Sequence, residues 1–245
     1  MSPLKYKGMQ SMSKILGRIT AAAALAVSFA PAHAEQLIYG FQAEQFEIRS
    51  LDGENALVWD FDVLVGTDEL KFVWRSEAEM GTSTENFEGL ENQLRLQVPI
   101  ATFFDAVVGV RASTPEGGID RYSALLGVKG LAPQWFEIDA DLFISKYPFF
   151  RFEAEYEALL TNRLILVPSI EVNMPLKDDV ALNQASGGAT IEVGARLSYD
   201  LIDRAVSPYI GVNYEKAFGG TADMMRTAGE ETEEFSFVVG TRLLF

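Results

Sequence analysis

The sequence predicts an all-β protein, a transmembrane antiparallel β-barrel of about twelve strands with short periplasmic turns and longer outer loops. Three observations carry this. Apolar and polar residues alternate with period two along most of the chain. Every second connection between the alternating segments is short, and the long ones fall among the others. The last segment, Glu233 to Phe245, keeps its alternation to the end and closes on an aromatic residue.

The amino terminus accounts for export. Lys5, Lys7, Lys14 and Arg18 precede an apolar run from Ile19 to Pro31, and Ala32-His33-Ala34 forms an A-x-A cleavage site before Glu35. That order defines a secretory signal peptide over 1–34, with the barrel domain over 35–245. The apolar run is too short for a membrane helix. Cleavage removes four bases and no acid, so the formal charge falls from −15 to −19. It also removes His33, the sole histidine, and the chain has no cysteine. The mature chain therefore lacks the usual base, nucleophile and metal ligands, which argues against a barrel hydrolase, acyltransferase or protease. Its acidity argues against a nucleic-acid partner.

The strands follow in order. After an irregular first strand near Leu37–Arg49, Leu57 to Val65 place Trp59, Phe61 and Val63 on one face and Asp60 and Asp62 on the other. Phe72, Trp74 and Ala78 oppose Lys71, Arg75, Glu77 and Glu79. Leu94, Leu96, Val98 and Ile100 oppose Glu91, Gln93, Arg95 and Gln97. Ala106, Val108 and Val110 oppose Asp105 and Arg111, and Ala124, Leu126 and Val128 oppose Ser123 and Lys129. Ile138, Ala140 and Leu142 oppose Glu137, Asp139 and Asp141, and Phe152, Ala154 and Tyr156 oppose Arg151, Glu153, Glu155 and Glu157. Ile170 and Val172 oppose Glu171, Val193 and Leu197 oppose Glu192 and Arg196, and Ile210 and Val212 oppose Asn213. In the last strand Phe235, Phe237 and Val239 oppose Ser236, Gly240 and Arg242. Terminal Phe245 resembles the signal that the barrel assembly machinery reads.

Connections and aromatics agree with this topology. Thr67–Glu69, Ala101–Asp105, Gly130–Gln134, Thr161–Arg163 and Asp200–Ala205 are the short side; Met80–Gly89, Pro175–Gly187 and Phe218–Glu234 belong to the other. Both termini then lie in the periplasm. Phe103, Phe104, Trp135, Tyr209 and Phe245 map to one interface, and Phe87, Tyr122, Phe149, Phe150, Phe218 and Phe235 to the other, as two aromatic belts would.

Two features bear on chemistry. Asp60, Asp62, Glu137, Asp139, Asp141, Glu153, Glu155 and Glu157 fall on the inward face, interleaved with arginines. Such a wall is either an ion-paired plug or a cation-attracting path, and the sequence leaves both open. Met80, Met174, Met224 and Met225 map to the outer rim or outer loops, where they are either ordinary loop side chains or soft ligands for a Cu(I) ion.

Long stretches resemble the copper resistance protein B family of outer-membrane proteins. They are Gly130–Asp141 (GLAPQWFEIDAD), Arg151–Pro168 (RFEAEYEALLTNRLILVP), Ser207–Asp223 (SPYIGVNYEKAFGGTAD) and Val238–Phe245 (VVGTRLLF), with Gln45–Arg49 (QFEIR) and Asn55–Trp59 (NALVW) similar too. The resemblance runs from about residue 37 to the end. It implies a cell outer-membrane barrel serving copper resistance and copper homeostasis, with copper ion as ligand and membrane lipid, the assembly machinery and a periplasmic copper protein as partners. The family often carries a Met/His-rich segment ahead of its barrel. Here the signal peptide leads almost directly into the barrel and no histidine follows it, so a copper site would use methionine or carboxylate. A small-solute or cation channel without copper specificity is the alternative.

Overall fold

A computed structural model describes residues 36–50, 55–82, 87–115, 120–202 and 204–245. The signal peptide expected over 1–34 lies outside them. The strands are β1 (Ile38–Ser50), β2 (Asn55–Gly66), β3 (Lys71–Gly81), β4 (Phe87–Ala101), β5 (Phe104–Pro115), β6 (Arg121–Ala132), β7 (Phe136–Ile144), β8 (Phe149–Tyr156), β9 (Ala158–Leu159), β10 (Leu164–Pro175), β11 (Gly188–Tyr199), β12 (Val206–Phe218) and β13 (Glu233–Leu244). Segments β8 and β9 are one wall strand interrupted at Glu157. Both pair with β10 in one continuous register, Glu155 opposite Ser169 and Ala158 opposite Leu166. Twelve antiparallel wall strands result.

Each strand pairs with its sequence neighbours, and β13 returns to β1, with Val239 opposite Ile48 and Leu244 opposite Gln42. The ring is closed. Closure matters because an open edge in hydrocarbon would leave backbone N–H and C=O groups unsatisfied, at several kcal/mol each. No helix among the described residues is long and apolar enough to cross a membrane; the crossing is made by strands.

The alternation sorts side chains radially. Val110, Ile210, Phe237 and Val239 point outward and are each more than half exposed, whereas Gln93 and Arg95 point inward and have no exposed surface. A protein in water would invert this arrangement. Lipid is the solvent that suits it. Phe103, Trp135 and Phe245 stand on the outer surface at one rim, and Phe87, Tyr122, Phe218 and Phe235 at the other.

Two expected belt residues face inward instead. Tyr209 is buried in the lumen, where its hydroxyl donates to Glu47 at 2.8 Å. Phe149 stacks on Phe143 with ring centroids 4.4 Å apart and packs against an inner apolar cluster of Val107, Leu125 and Phe143. Axial level alone cannot distinguish these faces; strand parity can, and Phe149 shares parity with Arg151.

The segment Phe218–Glu234, expected as a plain outer loop, contains helix α1 (Gly219–Ala228). Gly219, at φ +59°, turns the chain off β12, and Gly229, at φ +83°, ends the helix. Both conformations favour glycine. The first strand is irregular as expected, with its register against β2 shifting between Ala43 and Gln45.

Candidate functional site

The lumen is filled from one side by arginine and carboxylate. Arg95 on β4 meets Asp139 at 2.8 Å and Asp141 at 3.1 Å on β7. Arg75 on β3 meets Asp62 on β2 at 3.1 Å and Asp139 at 3.3 Å. Arg111 on β5 and Arg151 on β8 share Glu91 on β4, at 2.5 and 3.2 Å. The forks of Arg75, Arg95 and Arg151 each serve more than one carboxylate, which is why arginine rather than lysine dominates here. The inner apolar cluster lies beside this network, and the guanidinium of Arg111 stands 5.2 Å from the Phe143 ring centre. Ion pairs and this apolar cluster therefore brace the β4–β7 side of the lumen.

Two further pairs cross the barrel. Arg75 reaches Glu153 on β8 at 3.4 Å, and Arg151 on β8 reaches back to Glu77 on β3 at 3.0 Å. Strands β4 to β7 intervene between β3 and β8. Lower in the lumen, Arg242 on β13 reaches Glu155 at 3.3 Å and Glu157 at 3.0 Å.

A second hub sits where β1 faces β11 and β12. Glu47 has essentially no exposed surface and accepts from Arg49 Nε at 3.0 Å, from Arg196 Nε at 2.9 Å and Nη2 at 2.8 Å, and from Tyr209. A buried carboxylate is tolerable only with this degree of satisfaction. The sequence reading missed it because the shift at Ala43–Gln45 hides the parity of β1. The Glu-Ile-Arg triplet at 47–49 was the available signal.

Between these networks lies a cavity of about 300 Å³. Its wall includes Glu44, Asp60, Glu137, Glu155, Glu171 and Glu192. Of the eight carboxylates expected to face inward, Asp60, Glu137, Asp139, Glu153 and Glu155 line this cavity. Six of the eight are ion-paired: Asp62, Asp139, Asp141, Glu153, Glu155 and Glu157. Asp60 and Glu137 make no ion pair within 4 Å among the described residues, and Glu44 accepts only from Gln42, at 2.9 Å. The lumen is thus braced by ion pairs on one side and holds a carboxylate-lined cavity on the other.

The four methionines do not converge. Met80 lies on the outward face of β3 and Met174 on the outward face of β10, on opposite sides of the ring. Met224 and Met225 are consecutive on α1, which packs against β11 and β12. No group of three or more His, Cys, Asp or Glu among the described residues is arranged to hold a metal.

A closed barrel with an apolar exterior and an ion-paired interior is an outer-membrane β-barrel. Residues 37–245 match the family model described as Copper resistance protein B precursor (CopB), and the chain belongs to that family. It is 34% identical to Copper resistance protein B of Escherichia coli over 87% of this chain and 71% of that one. It is 33% identical to a Copper resistance protein B homolog of Pseudomonas syringae pv. tomato, over 84% and 69%. Among solved structures, the NanC porin superposes with TM-score 0.55 at 12% identity, over 84% of this chain and 99% of that one; this likeness is one of fold.

Proposed function

We propose that this barrel serves copper resistance by handling copper ions at the outer membrane, and that the ions meet the chain in the lumen. The supporting observation is the central cavity, where Asp60, Glu137 and Glu44 present carboxyl groups that make no ion pair within 4 Å among the described residues. Such a wall concentrates cations, Cu²⁺ among them. Met224 and Met225 are adjacent soft ligands suited to Cu(I) at the outer end. No catalysis is assigned. Lipid surrounds the barrel, the assembly machinery inserts it, and a periplasmic copper protein would exchange ions at the end bearing the termini.

The test is genetic and then physical. A deletion strain becomes copper-sensitive, the wild-type chain restores tolerance, and an Asp60→Asn/Glu137→Gln double variant of equal abundance restores less. Full restoration by the double variant would remove the lumenal carboxylates from the reading. A second reading, a cation channel without copper specificity, is favoured by the hardness of carboxylate oxygen, which attracts divalent ions by charge without selecting copper. Equal Cu²⁺ and Mg²⁺ flux in vesicles would support it.

A further inference from the structure

A strap crosses the outer mouth of the lumen. Residues 176–187 join β10 to β11 and fold inward over the opening. At one end Asp179, 2% exposed, receives Arg121 at the outer end of β6, with Arg121 Nε donating at 3.0 Å and Nη2 at 3.1 Å. Strands β7 and β8 lie between β6 and the base of the strap at β10. Asp179 also shapes the strap itself. Its side chain accepts from the Ala181 N–H at 3.2 Å, and its backbone exchanges two hydrogen bonds with Gln184, at 2.8 and 3.1 Å. The Tyr147 ring, 5.0 Å from the Arg121 guanidinium, supports the arginine from beside.

The other end is tied to the next loop. The N–H of Ala185 donates to Thr221 Oγ1 of α1 at 3.2 Å, and Asn183 Nδ2 donates to Glu230 at 2.8 Å. The strap therefore runs from the β6 side of the mouth to the loop between β12 and β13. Beneath it is a cavity of about 260 Å³, lined by Asp179, Leu182 and Gln184 from the strap and by Ser123, Arg151 and Asn173 from the wall. The Ser123 hydroxyl there is buried without a hydrogen-bond partner among the described residues. Ser113, Glu171 and Glu192 line both this cavity and the central one, so the two adjoin.

We propose that this strap is a lid on the outer mouth, latched by the Arg121–Asp179 pair and tethered at its far end to α1. The two ends differ in kind. The α1 end is held by hydrogen bonds without opposite charges. The latch end carries the forked Arg121–Asp179 ion pair, and removing Arg121 takes from Asp179, a buried carboxylate, the cation it is paired with. Losing the latch therefore favours the raised strap and joins the cavity beneath it to the exterior. The inference does not depend on what ion enters.

The natural chain has no cysteine, so one introduced thiol reports alone. Ser123→Cys places it under the lid, and Ser198→Cys places a reference thiol at a buried position, 2% exposed, that lines neither cavity. The purified barrel is treated with a small, charged, water-soluble methanethiosulfonate, and each labelling rate is read. With the latch intact, Cys at 123 reacts slowly. Adding Arg121→Gln, or Asp179→Asn, speeds it at least about tenfold, while the rate at 198 stays unchanged. Arg121→Lys, which keeps the charge but loses the fork, falls between. Equal rates at 123 with and without the latch overturn the lid. So does a parallel rise at both positions, which would mean a loosened barrel. Should one latch variant fail to assemble, the other gives the same reading.

Discussion

Arg151 on β8 and Glu77 on β3 meet at 3.0 Å across the inside of the barrel, although four strands separate them along the wall. The reverse pair, Arg75 with Glu153, runs beside it at 3.4 Å. Two arginines and two carboxylates thus form a reciprocal brace between opposed parts of one sheet. The backbone ladder fixes neighbours only, and the brace fixes how far apart distant strands stand.

That relationship has a measurable consequence. Arg151→Gln leaves Glu77 only its 3.9 Å contact with Arg75 and weakens the hold on Glu91, and we expect a loss of about 3 kcal/mol, the low end for breaking a buried pair because Glu77 is partly exposed and keeps that second cation. Replacing Arg151 and Glu77 together by Met removes both charges and should cost less than the single change. The readout is the urea concentration at which the compact, heat-modifiable band is lost. A double variant weaker than Arg151→Gln would mean that the brace contributes attraction rather than merely avoiding an unpaired charge.

Inner and outer faces should respond oppositely to charge. Ala140 faces lipid between Asp139 and Asp141, which face the lumen. Ala140→Arg places a guanidinium in the membrane at a cost of about 2–4 kcal/mol, whereas Glu155→Gln on the lumenal face mainly retunes the interior. Assembled protein in the outer-membrane fraction should drop sharply for the first and little for the second. Equal losses would contradict the facing of β7 and β8.

Much of this was legible in the sequence, for a physical reason. A strand's two faces meet different solvents, so residues such as Phe152 and Glu153 declare their sides by parity alone. Inward carboxylates follow from that. What parity cannot carry is distance across the lumen: nothing in the local pattern around Arg75 names Glu153 as its partner. Nor can it carry loop structure. The strap and α1 are held by single contacts such as Arg121–Asp179 and Thr221–Ala185, between segments far apart in sequence. The methionines illustrate the same point, because Met80 on β3 and Met174 on β10 lie on opposite sides of the ring.

The carboxyl terminus offers a test of closure. Phe245 and Phe41 exchange backbone hydrogen bonds at 2.9 and 2.8 Å, and their rings stack at 6.5 Å between centroids. Deleting Phe237–Phe245 strips most of β13 and exposes edges on β1 and β12. Two open edges in hydrocarbon are intolerable, so no heat-modifiable barrel should reach the outer membrane. Phe245→Ala keeps the pairing and should slow assembly while leaving the stability of the assembled fraction near wild type. That outcome would support recognition of the terminal aromatic ring by the assembly machinery, and a loss of urea resistance matching the loss of yield would assign Phe245 to packing alone.

Copper should divide by oxidation state. Met224 and Met225 are half-buried neighbours on α1, about 100° apart around the helix axis, and they are soft ligands. Met80 and Met174 face lipid on opposite sides of the ring, too far apart to share an ion. Met224→Leu/Met225→Leu keeps size and apolarity but removes two thioethers, so Cu(I) retained by the purified barrel should fall with assembly unaffected. Met80→Leu/Met174→Leu should change nothing. Cu²⁺ retention should instead follow Asp60→Asn/Glu137→Gln, because carboxylate oxygen attracts the harder ion through charge. Cu(I) retention unchanged by the α1 variants would take the methionines out of copper handling. Loss of Cu(I) in both methionine pairs alike would show that oxidation or misassembly, rather than coordination, set the result.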